Sequence, residues 1–151
     1  MILYLDTSAL VKLYVEEPLS QKLTVAVAES EAVATSLIAY TEARASFARA
    51  RREARLPIQI YRRIVEAFSE DWPRYIAVAV TDRLVKDAGD LAANRALRGY
   101  DALHLAAALS LSQQVTAPVT FLAFDRALSL AAKREALCLH PLGCINKKGG
   151  K

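Results

Sequence analysis

Apolar positions fall into two alternating patterns along the chain: short solid runs, and stripes repeating every three to four residues. The first run, Ile2-Leu3-Tyr4-Leu5, is apolar on both faces and ends on Asp6. That predicts a central strand of a parallel sheet, covered by helices on each side, with a carboxylate at its tip. Ala9, Leu10, Leu13 and Tyr14 follow at helical spacing, closed by Glu16-Glu17-Pro18. Leu19, Leu23 and Val27 mark the inner stripe of a second helix. Ala32-Val33-Ala34-Thr35 has strand length, and Ser36 is placed to cap a long helix that carries Glu42 and Arg49.

Leu56-Pro57 interrupts the pattern, and Ile58, Tyr61, Ile64, Val65 and Phe68 form the stripe of the next helix. A third strand is predicted over 75–80, with Thr81-Asp82 as cap or loop before a helix bearing Leu84, Ala88, Leu91 and Ala92. Gly99 is expected to end that helix and Asp101 to begin another, Ala102 to Leu109, apolar almost all round and therefore buried. Thr120 to Phe124 is the fourth strand, ending on Asp125, followed by a helix from Arg126 to about Ala136 and a short strand over 137–140. Strands and helices thus alternate, which predicts an α/β fold: a three-layer α/β/α sandwich with a mostly parallel central sheet.

Composition narrows the class. A chain of 151 residues, 54% hydrophobic with five glycines and five prolines, suits one compact domain over 1–145, with 146–151 as a loose basic tail. Cys138 and Cys144 have neither CxxC spacing nor a neighbouring His pair, and no leader or membrane-length apolar run is present; a reduced, cytoplasmic protein is expected. The net charge of +4 is local in origin. Seven arginines and one acid lie between Arg44 and Arg63, a window of +6 that leaves −2 elsewhere. Such a cluster is either a solvated helix face or a footprint for a polyanion.

Parallel sheets place ligand sites beyond the carboxyl ends of their strands. Asp6 and Asp125 each follow a strand, while Glu42 and Asp101 lie in early turns of helices, so the fold can bring four carboxylates to one crevice. Gathered there, they repel by several kcal/mol, order of magnitude, and call for a cation. Oxygen donors without matching His or Cys select a hard divalent ion, Mg²⁺ or Mn²⁺, which lowers the pKa of water and steadies charge on a phosphate. Thr7 and Ser8 open the helix after Asp6, where their hydroxyls could hold the carboxylate's orientation or contact an anion. Beside an arginine-rich surface, this is the chemistry of a metal-dependent phosphodiesterase.

The motifs LYLDTSALVKLY, SLIAYTEARASF with Ser36 and Glu42, GYDALHLAAAL around Asp101 and FLAFDRALSLAA around Asp125 together resemble a PIN-domain protein of the VapC type, the toxin half of a toxin–antitoxin pair. The resemblance covers nearly the whole chain. It implies the sheet order 3-2-1-4-5, a metal site formed by Asp6, Glu42, Asp101 and Asp125, and cleavage of RNA. It also implies a homodimer and a cognate VapB-type antitoxin that blocks the active-site groove. In that order Asp82 lies roughly 10 Å from the central strand and reads as a cap. Arg49 is a candidate contact for RNA or antitoxin; His104, three residues after Asp101, shares its helix face and could approach the site, although a lone His in an apolar helix is more often a packing residue. Many members carry Thr or Ser two residues before the last acid, where this chain has Ala123.

Two other classes share an Asp at the tip of the first strand. A haloacid-dehalogenase-like phosphatase wants a second Asp where Ser8 stands, and a receiver domain wants a Lys where His140-Pro141 stands. A non-catalytic PIN-like fold that only binds RNA or a partner is disfavoured by retention of all four acids, since a binder of phosphates does better without them.

Overall fold

A computed structural model describes residues 1–144; the basic tail expected over 146–151 lies outside the described residues. Five parallel strands stand in the order β3-β2-β1-β4-β5, as the resemblance implies. They are β1 (Ile2–Leu5), β2 (Ala32–Ser36), β3 (Ile76–Val78), β4 (Val119–Leu122) and β5 (Cys138–Leu139). In register, Tyr4 is opposite Ala34 on one side and Phe121 on the other, so β1 is the centre of the sheet.

The two faces of β1 feed two cores. Ile2 and Tyr4 pack with α5 (Asp82–Arg95), α6 (Gly99–Gln114) and α7 (Arg126–Arg134). Leu3 and Leu5 face the other way, toward α1 (Thr7–Val11), α2 (Ser20–Glu29), α3 (Ala39–Arg52) and α4 (Ile58–Asp71). Every residue of β1 is buried, which is what a strand covered on both sides requires. Trp72 and Tyr75 close the second core beside Phe68 and Tyr40. Among the described residues no helix is long and apolar enough to cross a membrane, and Cys138 and Cys144 are free, exposed thiols.

Several local expectations are corrected. Ser36 does not cap α3: it is the last residue of β2, fully buried, and its hydroxyl has no partner among the described residues. Ile38 precedes α3 without any side-chain cap. The helix after Asp6 is shorter than its stripe suggests, because the amides of Lys12, Leu13 and Tyr14 bond three residues back and tighten the last turn. Gly99 does not end α5; Ala96 does, in the left-handed region at φ 52°, while Gly99 opens α6. A non-glycine residue accepts that geometry because the Leu97 amide closes the helix end on the Ala92 carbonyl. Thr81, not Asp82, caps α5, accepting a hydrogen bond from the Leu84 amide. Strand β4 stops at Leu122, three residues short of Asp125.

Candidate active site

The carboxyl ends of β1, β2 and β4 open onto a cleft of about 530 Å³. Its walls include Asp6, Thr7, Ser8, Glu42, Asp101 and Asp125, so four acids from distant parts of the chain share one crevice. Asp6 leaves β1 directly and caps α1: its Oδ1 accepts from the Ala9 amide at 2.9 Å, and the Ser8 hydroxyl reaches both of its oxygens at 2.9 Å. Asp125 repeats the device on α7, accepting from the Leu128 amide at 2.8 Å. Both are N-caps, and both face the cleft, because a cap must sit where a strand hands over to a helix. Glu42 enters from the first turn of α3 and Asp101 from the first turn of α6.

A hydrogen-bonded chain fixes Glu42. The buried Tyr4 hydroxyl lies 3.1 Å from His104 Nδ1, and His104 Nε2 lies 3.0 Å from Glu42 Oε1 and 2.9 Å from Thr7 Oγ1. Thr7 donates to the same Glu42 oxygen at 2.7 Å. Nδ1 pairs with the Tyr4 hydroxyl, and an Nε2 proton directed at Glu42 completes the set. His104, only 2% exposed, is therefore part of the cleft wall and not mere packing. Its position three residues after Asp101, on the same helix face, was the signal for this; its partner on β1, Tyr4, gave none.

Burial raises the Asp6 carboxyl above the usual carboxylate range, against the lowering pull of His104, the Ala9 amide and Ser8. Glu42 behaves oppositely. Burial pushes it up, but hydrogen bonds from His104 and Thr7 more than offset that and hold it below its ordinary value. Arg98, 82% exposed, pairs with Asp101 Oδ2 at 3.0 Å, and Asp125 adds to the field that raises its own pKa. Lys12, Glu17, Ser46, Arg98 and Phe124 also line the cleft; residue type alone does not single them out.

Arg49 is not in the cleft. Seven residues along α3 from Glu42, about 10 Å, it is 70% exposed and pairs with Glu53 at 2.9 Å. Asp82 is likewise outside, paired with Lys86. Ala123 is buried, and its carbonyl accepts from the Ser129 hydroxyl at 3.1 Å, so Asp125 is oriented by its cap rather than by a neighbouring hydroxyl.

These features meet a family pattern: the PIN-domain family model matches residues 3–134. The chain belongs to the PIN-domain family. Ribonuclease VapC45 of Mycobacterium tuberculosis is 35% identical to this PIN domain over 109 residues, covering 72% of the chain and 76% of that relative. Among solved structures, FitAcB from Neisseria gonorrhoeae superposes with a TM-score of 0.67 at 16% identity, covering 96% of this chain and 100% of that one. VapBC2 from Rickettsia felis, bound to a DNA fragment from its promoter, gives 0.62 at 15% identity, covering 93% and 98%. Both share the PIN fold.

As a donor set the cleft suits a hard divalent cation. Glu42, Asp101 and Asp125 each have one oxygen in a hydrogen bond or ion pair and a second without a protein partner among the described residues, and burial disfavours the charge on Asp6 that a cation would favour. Yet among those residues no group of three or more His, Cys, Asp or Glu side chains is already placed to hold an ion. The acids line the crevice without converging on one point.

Proposed function

We propose that this PIN domain is a metal-dependent endoribonuclease and the toxin of a VapBC-type toxin–antitoxin pair. The single observation that carries the reading is the meeting of Asp6, Glu42, Asp101 and Asp125 in one cleft at the carboxyl edge of the sheet. Likeness to a ribonuclease VapC supports it. Asp6, Glu42, Asp101 and Asp125 would hold Mg²⁺, with Mn²⁺ able to substitute, and the ion would supply a water of lowered pKa and positive charge against the phosphate oxygens.

The protein's own groups do the rest. Asp6 is held by Ser8 and the Ala9 amide and would offer a preset ligand. The Tyr4–His104 chain holds Glu42 ionised and aimed into the cleft. Arg98 and Lys12 at the rim offer cationic contacts to the phosphates on either side of the cut. An aspartyl-phosphate mechanism fits poorly, because Ser8 stands where a phosphatase would carry its second Asp.

The groove of about 610 Å³ beside Glu42 and Asp101 leaves Val85 and Tyr100 exposed, an apolar surface for an antitoxin segment that would close over the acids. A homodimer belongs to the same proposal, as does a cytoplasmic location, which suits two free thiols. The test is direct: single-stranded RNA is incubated with the protein in Mn²⁺, in EDTA, and with Asp6→Asn. Cleavage is expected in Mn²⁺ alone; product that persists in EDTA or with the variant sinks the reading.

A further inference from the structure

A second groove, of about 800 Å³, leads away from the acidic cleft and shares Lys12, Glu17 and Phe124 with it. It runs between the segment after α1 and the outer face of α7. On that helix Arg126, Leu130 and Lys133 fall at i, i+4 and i+7, one face, and all three are exposed to the groove. Arg126 and Lys133 stand about 10 Å apart along the axis. Since Asp125 caps the same helix, its cationic face begins at the catalytic edge and continues outward.

We infer that this groove holds the stretch of RNA flanking the cut on one side, an inference that rests on the ribonuclease reading. Phe124 is half-buried, and the Lys12 ammonium lies 5.1 Å from its ring centroid, so the ring sits where cleft and groove join. It forms an apolar platform for the first base beyond the cut. Arg126 and Lys133 then meet successive backbone phosphates. Charge favours a nucleic acid over a protein segment: three cations line the groove against one acid, Glu17, which Lys12 already pairs. An aromatic ring at the mouth of a cationic channel is the usual equipment for holding a single strand without reading its sequence.

The test uses a single-stranded RNA of about 20 nucleotides with one cleavage site, and a version trimmed to about four nucleotides around that site. The double variant Arg126→Ala, Lys133→Ala alters only exposed side chains, and an unchanged melting curve confirms its fold. Its kcat/KM is expected to fall about tenfold on the long RNA, through KM, and to match the wild type on the trimmed one. Loss of two phosphate contacts should also flatten the salt dependence of log KM by about 1.4. An abasic site next to the cut should weaken the wild type about tenfold and Phe124→Leu hardly at all.

Equal activity of variant and wild type on the long RNA overturns the inference and leaves the groove to a protein partner. An equal loss on both substrates overturns it too, by making these residues part of the catalytic site. If the wild type cuts no RNA, the ribonuclease reading fails on its own. The groove is then judged by fluorescence anisotropy of the labelled long RNA on Asp6→Asn, with and without the double substitution. A tenfold weaker Kd supports it, and no change removes it.

Discussion

The two halves of the cleft are built differently. The inner half, Asp6, Thr7, Glu42 and His104 over Tyr4, is cross-bonded, and Asp6, His104 and Tyr4 within it are buried, Asp6 only 5% exposed. The outer half, Asp101 and Asp125 with Arg98, is half-buried and less restrained: Asp101 is held by one ion pair to an exposed arginine and Asp125 by one backbone amide. The inner half is organised at an electrostatic expense: burial disfavours the Asp6 carboxylate even against the lowering pull of His104, the Ala9 amide and Ser8. The outer half stores little and can rearrange. For the proposed reaction, in which the site would take in both an ion and a strand of RNA, one preset wall and one less restrained rim suit the two tasks.

Substitutions along this gradient should have falling effects. Asp6→Asn is expected to lower Mn²⁺-dependent RNA cleavage by about a hundredfold or more. Asn still caps α1, and the buried charge is gone, so the same variant should melt a few degrees higher than the wild type without metal. Added Mn²⁺ should raise the melting temperature of the wild type but not of the variant. A variant that binds Mn²⁺ normally, followed by calorimetry, would place the ion elsewhere.

Next in size is His104→Ala. It leaves the Tyr4 hydroxyl and the Glu42 oxygen short of a partner, and should destabilise the fold by about 2–4 kcal/mol in urea unfolding. Mn²⁺ affinity should fall about 10- to 100-fold, the usual consequence of losing an outer partner of a ligand. Tyr4→Phe keeps the ring stacked on Phe121 and should cost only about 1 kcal/mol.

The pH dependence of the metal-free protein separates the two carboxylates of the inner half. Folding raises Asp6, so its contribution is present below its unfolded pKa and is lost as pH rises through the higher folded one. Folding lowers Glu42, so its contribution is present above the unfolded value and is lost as pH falls through the lower folded one. On acidification the melting temperature should first rise as Asp6, with its raised pKa, takes a proton, and then drop at lower pH as Glu42, with its lowered pKa, does. Asp6→Asn should abolish the rise and keep the drop, which differential scanning calorimetry can read.

The smallest effect belongs to the rim. Arg98 and a metal ion compete for Asp101, so Arg98→Ala should tighten Mn²⁺ binding about two- to threefold while cleavage slows for want of a phosphate contact. If both fell together, the rim would be as preorganised as the wall, and the contrast between the halves would vanish.

Much of this was legible along the chain. Solid apolar runs and three-to-four-residue stripes give the five strands and their helices, since burial on one or two faces is a local property of residue order. Asp6 and Asp125 are visible as acids at the start of helices, and Glu42 and Asp101 as acids in first turns. Boundaries set by hydrogen bonds to distant partners were not visible: Ser36 in β2 instead of at a cap, Ala96 in place of Gly99, and β4 ending at Leu122. A capping residue and a strand-end residue look alike until the neighbouring strand is in place.

What sequence alone settled is which residues carry charge and which stretches must be buried. Only the folded sheet decided that Tyr4, a core residue by every local sign, would reach His104 a hundred positions away and through it orient Glu42. It also decided that Arg49, on the expected face of its helix, would point to solvent while Arg98 took the rim. Hydrophobicity is a property each residue brings with it. The partner of a buried polar atom is set by strand order and register, which exist only once the chain has closed on itself.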